Sequence, residues 1–133
     1  MKHAVCAISL LAVLATLGGC GKVASPTPLT QTASSLSATL VIIPDPPVSM
    51  EDATLELTLL DVNNQPVSGA TVRLDLTMPG MQMPTNCPEA TDEGNGIYRA
   101  SAIFTMAGEW QIQVEVAAQA EGNEAFTFVT HTK

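Results

Sequence analysis

From Ser37 onward apolar and polar side chains alternate with a period of two, the spacing of a half-buried strand and not of a helix. Leu40 and Ile42 alternate with Thr39 and Val41, and Leu55, Leu57 and Leu59 with Thr54, Glu56 and Thr58. Val72, Leu74 and Leu76 alternate with Arg73, Asp75 and Thr77, and Tyr98, Ala100, Ala102 and Phe104 with Arg99 and Ser101. The cleanest run is Trp110, Ile112, Val114 and Val116 against Gln111, Gln113 and Glu115; the last is Phe126 and Phe128 about Thr127. Turn signals separate the runs: Pro44-Asp45-Pro46-Pro47, Asn63-Asn64-Gln65-Pro66, Gly94-Asn95-Gly96, Ala107-Gly108 and Gly122-Asn123. Six clear strands and a weak one near Glu89–Asp92 predict an all-β, immunoglobulin-like antiparallel β-sandwich of about seven strands over residues 37–133.

The N-terminus follows a different pattern. Met1-Lys2-His3 is a short basic start, and Ala4–Leu17 is an apolar run too short to span ~30 Å of hydrocarbon as a helix. A cleaved signal peptide over residues 1–19 is the reading that fits. It ends in Leu17-Gly18-Gly19-Cys20, a bacterial lipobox, in which small residues let a lipoprotein signal peptidase reach the bond before Cys20. Cys20 is then the lipidation site, and several acyl chains hold a protein on a membrane where one does not. Gly21 after the cysteine, in place of Asp, points to the outer membrane over the inner, with the domain facing the periplasm. Residues 20–36, small, polar and dotted with proline, read as the lipidated cysteine and a flexible tether.

Charge narrows the function classes. Thirteen acidic against five basic residues leave a net charge of −8, which excludes a nucleic-acid surface because phosphate binding needs clustered Lys and Arg. There is no Gly-x-Ser-x-Gly, phosphate loop, Cys-x-x-Cys or usable Ser-His-Asp set, so the chain is not expected to be an enzyme. Cys6 is lost with the leader and Cys20 is lipidated, leaving Cys87 without an intramolecular partner.

Candidate chemistry lies in the methionines. Of six, Met1 is lost and Met50, Met78, Met81, Met83 and Met106 remain, all outside the alternating runs. Three fall in Met78-Pro79-Gly80-Met81-Gln82-Met83-Pro84. Pro-Gly at the centre of a four-residue turn is a type II signature that brings Met78 and Met81 within ~7 Å. Extended chain beyond it puts Met81 and Met83 on one side. Three thioethers followed by the Cys87 thiol form a soft donor set that favours Cu(I) over zinc, which takes Cys, His or carboxylate. The alternative is an apolar plug or an adaptable contact surface for another envelope protein, without metal. If consecutive strands are antiparallel, parity places all five methionines, Cys87, Trp110 and His131 at one end, with the tether entering at the other. Met106 and His131 are then possible additional ligands, although His131, close to the C-terminus, reads first as a tail residue.

The chain resembles the YtkA-like domains, which are close to FixH-like proteins. The resemblance rests on Val67-Ser68-Gly69-Ala70-Thr71-Val72, Met78-Pro79-Gly80-Met81-Gln82-Met83, Gly96-Ile97-Tyr98 and Phe104-Thr105-Met106-Ala107-Gly108-Glu109-Trp110. It implies a small exported or membrane-anchored β-sandwich associated with copper handling, with a copper-handling envelope protein as partner. Family loops often carry a His near the methionine run; here Cys87 follows it instead.

Overall fold

In the computed structural model, which describes residues 25–133, the alternation resolves into eight strands. They are β1 (Leu29–Thr32), β2 (Leu36–Ile43), β3 (Asp52–Asp61), β4 (Thr71–Thr77), β5 (Thr91–Gly94), β6 (Ile97–Ile103), β7 (Gly108–Ala118) and β8 (Gly122–Thr132). The expected signal peptide (residues 1–19), the lipidation site Cys20 and residues 21–24 lie outside the described residues.

One sheet has the order β1-β2-β3-β6-β5 and the other β4-β7-β8, with every pairing antiparallel. Without β1, these are the two sheets of a constant-type immunoglobulin domain, four strands against three. The apolar member of each alternating pair points into the gap between sheets. Leu40, Leu59, Val72, Ile112 and Val114 are all fully buried, while their neighbours face solvent or the outer sheet surface. Phe104 and Trp110 meet edge to face, with centroids 5.3 Å apart, and close the core at one end.

Two features depart from the sequence expectation. Leu29–Thr32, placed in the tether, is a strand that pairs with β2 in the register Leu29↔Leu40 to Thr32↔Ser37. It has one apolar residue, so its stability comes from the backbone ladder and from contacts such as Thr30 Oγ1 to Thr39 Oγ1, 3.1 Å. The strand expected near Glu89–Asp92 is displaced to Thr91–Gly94. The chain before it runs along the free edge of β4, where Leu76 N–H donates to the Asn86 carbonyl, Leu74 N–H to that of Pro88, and Ala90 N–H to that of Val72. Pro88 has no N–H to return to Leu74, so the ladder is incomplete and the chain crosses to the other sheet as β5.

The end remote from the methionines is closed by Tyr98. Its hydroxyl donates to the Val67 carbonyl at 2.7 Å and accepts from Ala70 N–H at 3.2 Å, tying β6 to the β3–β4 connection.

Candidate methionine-rich site

Three connections and the C-terminus build one end of the sandwich. The β2–β3 loop is held by Met50 N–H to the Phe104 carbonyl, 2.8 Å, and by Ser49 N–H to that of Lys133, 2.9 Å. Lys133 N–H in turn donates to the Pro47 carbonyl. The β6–β7 loop hangs on the Met106 carbonyl, which accepts Trp110 Nε1–H at 3.0 Å and the Thr132 hydroxyl at 2.7 Å. That bond holds the indole in the core, and Trp110 is 1% exposed.

The Met78–Met81 turn forms as its sequence predicts. Met81 N–H donates to the Met78 carbonyl at 3.2 Å, and Gly80 has φ +77°, the left-handed third position of a type II turn. Met78 packs on the core, with its methyl over Gly108; an added Cβ there would lie 3.0 Å from it. Met83 is half-buried against the core, and with Met50, Asn86, Ile103, Thr105 and Trp110 it lines a concavity of about 400 Å³. Met50, Met81 and Met106 are 72%, 51% and 38% exposed, unusual for apolar side chains of this size.

Parity was therefore informative for the methionines, since all five stand on the loops of this end. It also placed His131 at this end, but the end alone does not fix which way a side chain faces, and the two other candidate ligands face away from the concavity. Cys87 follows the loop onto the edge of β4, where odd-numbered residues face outward, and its thiol approaches Asp75 Oδ1 at 3.5 Å on the outer face of the sheet. Loss of solvation, then the hydrogen bond and charge of Asp75, raise its pKa above 9.0 and oppose the thiolate that soft metals need. His131 is not a frayed tail residue: it lies in β8 opposite Glu109, with Nε2 3.4 Å from the carboxylate, on the outer surface away from the concavity. The spacing of Cys87 gave no sign of the pairing along the edge of β4 that turns its thiol away from Met83. Met50, by contrast, was identifiable by parity and joins Met83 in the structure.

Among the described residues no group of three or more His, Cys, Asp or Glu side chains is placed to hold a metal ion. A larger concavity of about 540 Å³ lies on the outer face of the three-stranded sheet, open and lined by Arg73, Glu115 and Glu124. It brings together no donor set of one type.

The fold and its methionine-bearing end define a small immunoglobulin-like β-sandwich whose methionines stand on the loops of one end. The chain belongs to the YtkA-like family, whose profile matches residues 30–115. Among solved structures it is similar to a DUF4426 family protein from Pseudomonas aeruginosa PAO1. The TM-score is 0.59 at 11% identity, over 78% of this chain and 93% of the other. At that identity the likeness is one of fold. No curated protein matches the sequence.

Proposed function

We propose that this chain is a lipid-anchored protein facing the periplasm that binds copper as Cu(I) through the thioethers of its methionine-rich end, for delivery or tolerance of the metal. The observation that supports it is the placement of Met50, Met78, Met81, Met83 and Met106 on the loops of a single end, with Met50 and Met83 on one concavity. Thioethers are neutral, soft donors, suited to Cu(I) and poor for Cu(II) or zinc. They need no deprotonation, so affinity should hold in mild acid. Cys87, turned to Asp75, is assigned no share.

A contact surface for another envelope protein is the second reading. It is favoured by the exposure of Met50, Met81 and Met106 beside Ile103, because flexible thioether chains adapt to many partners.

Competition against a Cu(I) chelator separates the two. Replacing Met50, Met81 and Met83 together by Leu keeps volume and apolar character, at less than ~1.5 kcal/mol each. The expected result is loss of most Cu(I) binding in the triple variant, retention in Cys87→Ser, and parent binding nearly constant from about pH 5 to 8. A triple variant that binds as its parent does would leave the contact surface as the function.

A further inference from the structure

We propose that the methionine-rich end is the membrane-facing surface of this protein, resting on the zwitterionic lipid layer in which Cys20 is anchored. The inference rests on acylation of Cys20 and is independent of copper.

The placement of the N-terminal segment carries it. Because β1 runs antiparallel to β2, the chain before it emerges beside the end of β2, at the methionine-rich end. Thr27 N–H donates to Asp45 Oδ2 at 2.6 Å in the β2–β3 loop, the same loop that carries Met50. Only five residue steps separate Ser25 from Cys20, and whatever path they take, they span at most about 17 Å at ~3.4 Å each. The eight residues of β2 extend about 26 Å. With the opposite end on the membrane, Ser25 would stand higher above the lipid than its tether can reach.

Lying on a side is open to such a tether, and the surface chemistry decides between side and end. Of the large apolar residues left exposed, Ile43, Met50, Met81, Ile103 and Met106 belong to the methionine-rich end, while Val62 is at the far end and Val129 on a sheet face. A tethered surface needs little intrinsic affinity, because the anchor holds it at high effective concentration. Asp45, Glu51, Asp52 and Glu109 rim this end, against Lys133. That balance suits zwitterionic headgroups and disfavours anionic ones.

The test uses the full chain exported with its own leader, its mass measured for acyl groups on Cys20, and reconstituted into phosphatidylcholine vesicles that carry a headgroup quencher. In a Cys87→Ser background a fluorophore is attached at Glu51→Cys or, at the far end, at Asn123→Cys. Quenching several-fold stronger at position 51 is expected. It should weaken when Met50, Met81 and Met106 become Ser, and when phosphatidylglycerol replaces part of the phosphatidylcholine. Equal quenching at both positions, or stronger quenching at 123, in the acylated protein overturns the orientation alone. Quenching unchanged by the Ser substitutions overturns the apolar contact. A mature protein without acyl groups overturns the anchoring, and this inference with it.

Discussion

Replacing Tyr98 by Phe removes one oxygen atom and nothing else from the end of the sandwich opposite the methionines. The ring is 0% exposed, and its hydroxyl serves Val67 as donor and Ala70 as acceptor, at 2.7 and 3.2 Å. Burial raises the phenol pKa above 10.0, so the proton given to Val67 stays in place through neutral pH. In the variant the Val67 carbonyl loses this donor beneath a ring that excludes water, and a buried acceptor without a partner costs about 1–3 kcal/mol. Ala70 is half-buried, so its N–H can turn to solvent and adds little. With ~2 kcal/mol as the central value and 4–8 °C per kcal/mol for a domain of this size, the melting temperature should fall by roughly 8–16 °C. Urea unfolding should show the same loss as a lower midpoint at unchanged slope. The Cu(I) binding proposed for the other end should not change. A loss below about 0.5 kcal/mol would show that water reaches Val67, and a changed Cu(I) affinity would show that the two ends are not independent.

Two further outcomes follow from local geometry. An alanine at Gly96 would place its Cβ 2.5 Å from the Leu59 carbonyl oxygen and 3.1 Å from Val67 N, at φ +74°, so both clash and backbone strain oppose it. Unfolding measurements should show a loss above about 3 kcal/mol, and a loss under half of that would mean the turn relocates freely. For Cys87, a raised pKa means the thiol is mostly protonated at neutral pH, so alkylation should be slow and should accelerate as pH rises through the alkaline range. Asp75→Asn removes a charge that opposes the thiolate and should shift that rate profile to lower pH; a profile that does not move would remove Asp75 as a cause.

Much of the sandwich was legible because burial in a two-sheet fold imposes a period of two. Leu55-Leu57-Leu59 and Trp110-Ile112-Val114-Val116 each fill one face, and both faces were assigned correctly. The type II turn at Met78–Met81 was legible for a local reason, since Pro-Gly selects it without help from the rest of the chain. What could not be read was structure held by backbone pairing alone. β1 has the sequence Leu-Thr-Gln-Thr, mostly exposed and lying on a sheet edge, and no apolar periodicity marks a strand that buries almost nothing. The segment Asn86–Ala90 pairs with β4 across an interruption at Pro88, and its outward register at Cys87 depends on that pairing.

These two omissions have unequal consequences, because in an antiparallel chain each strand reverses the end at which the next segment lies. The crossing along β4 is followed by β5, which had been counted, so Met106 and the C-terminus stayed at the end that parity assigned them. It changed only which way Cys87 points, and so removed the thiol from the thioethers. The strand missed before β2 reversed the entry of the N-terminal segment outright. A tether expected at the far end instead meets the domain at Thr27, beside Asp45 and the loop of Met50. Four residues with one apolar side chain thus decide which surface an anchor at Cys20 would hold against the membrane. Strand-breaking substitutions in β1, such as Gln31→Pro, which removes the N–H that faces Ala38 across the β1–β2 ladder, should lengthen the effective tether by freeing residues 25–32 while leaving the core intact. In the quenching assay the contrast between positions 51 and 123 should then diminish, because ~13 residues of free chain can span the ~26 Å that five cannot. A contrast that survives the loss of β1 would mean that lipid contact by the methionines, and not tether length, sets the orientation.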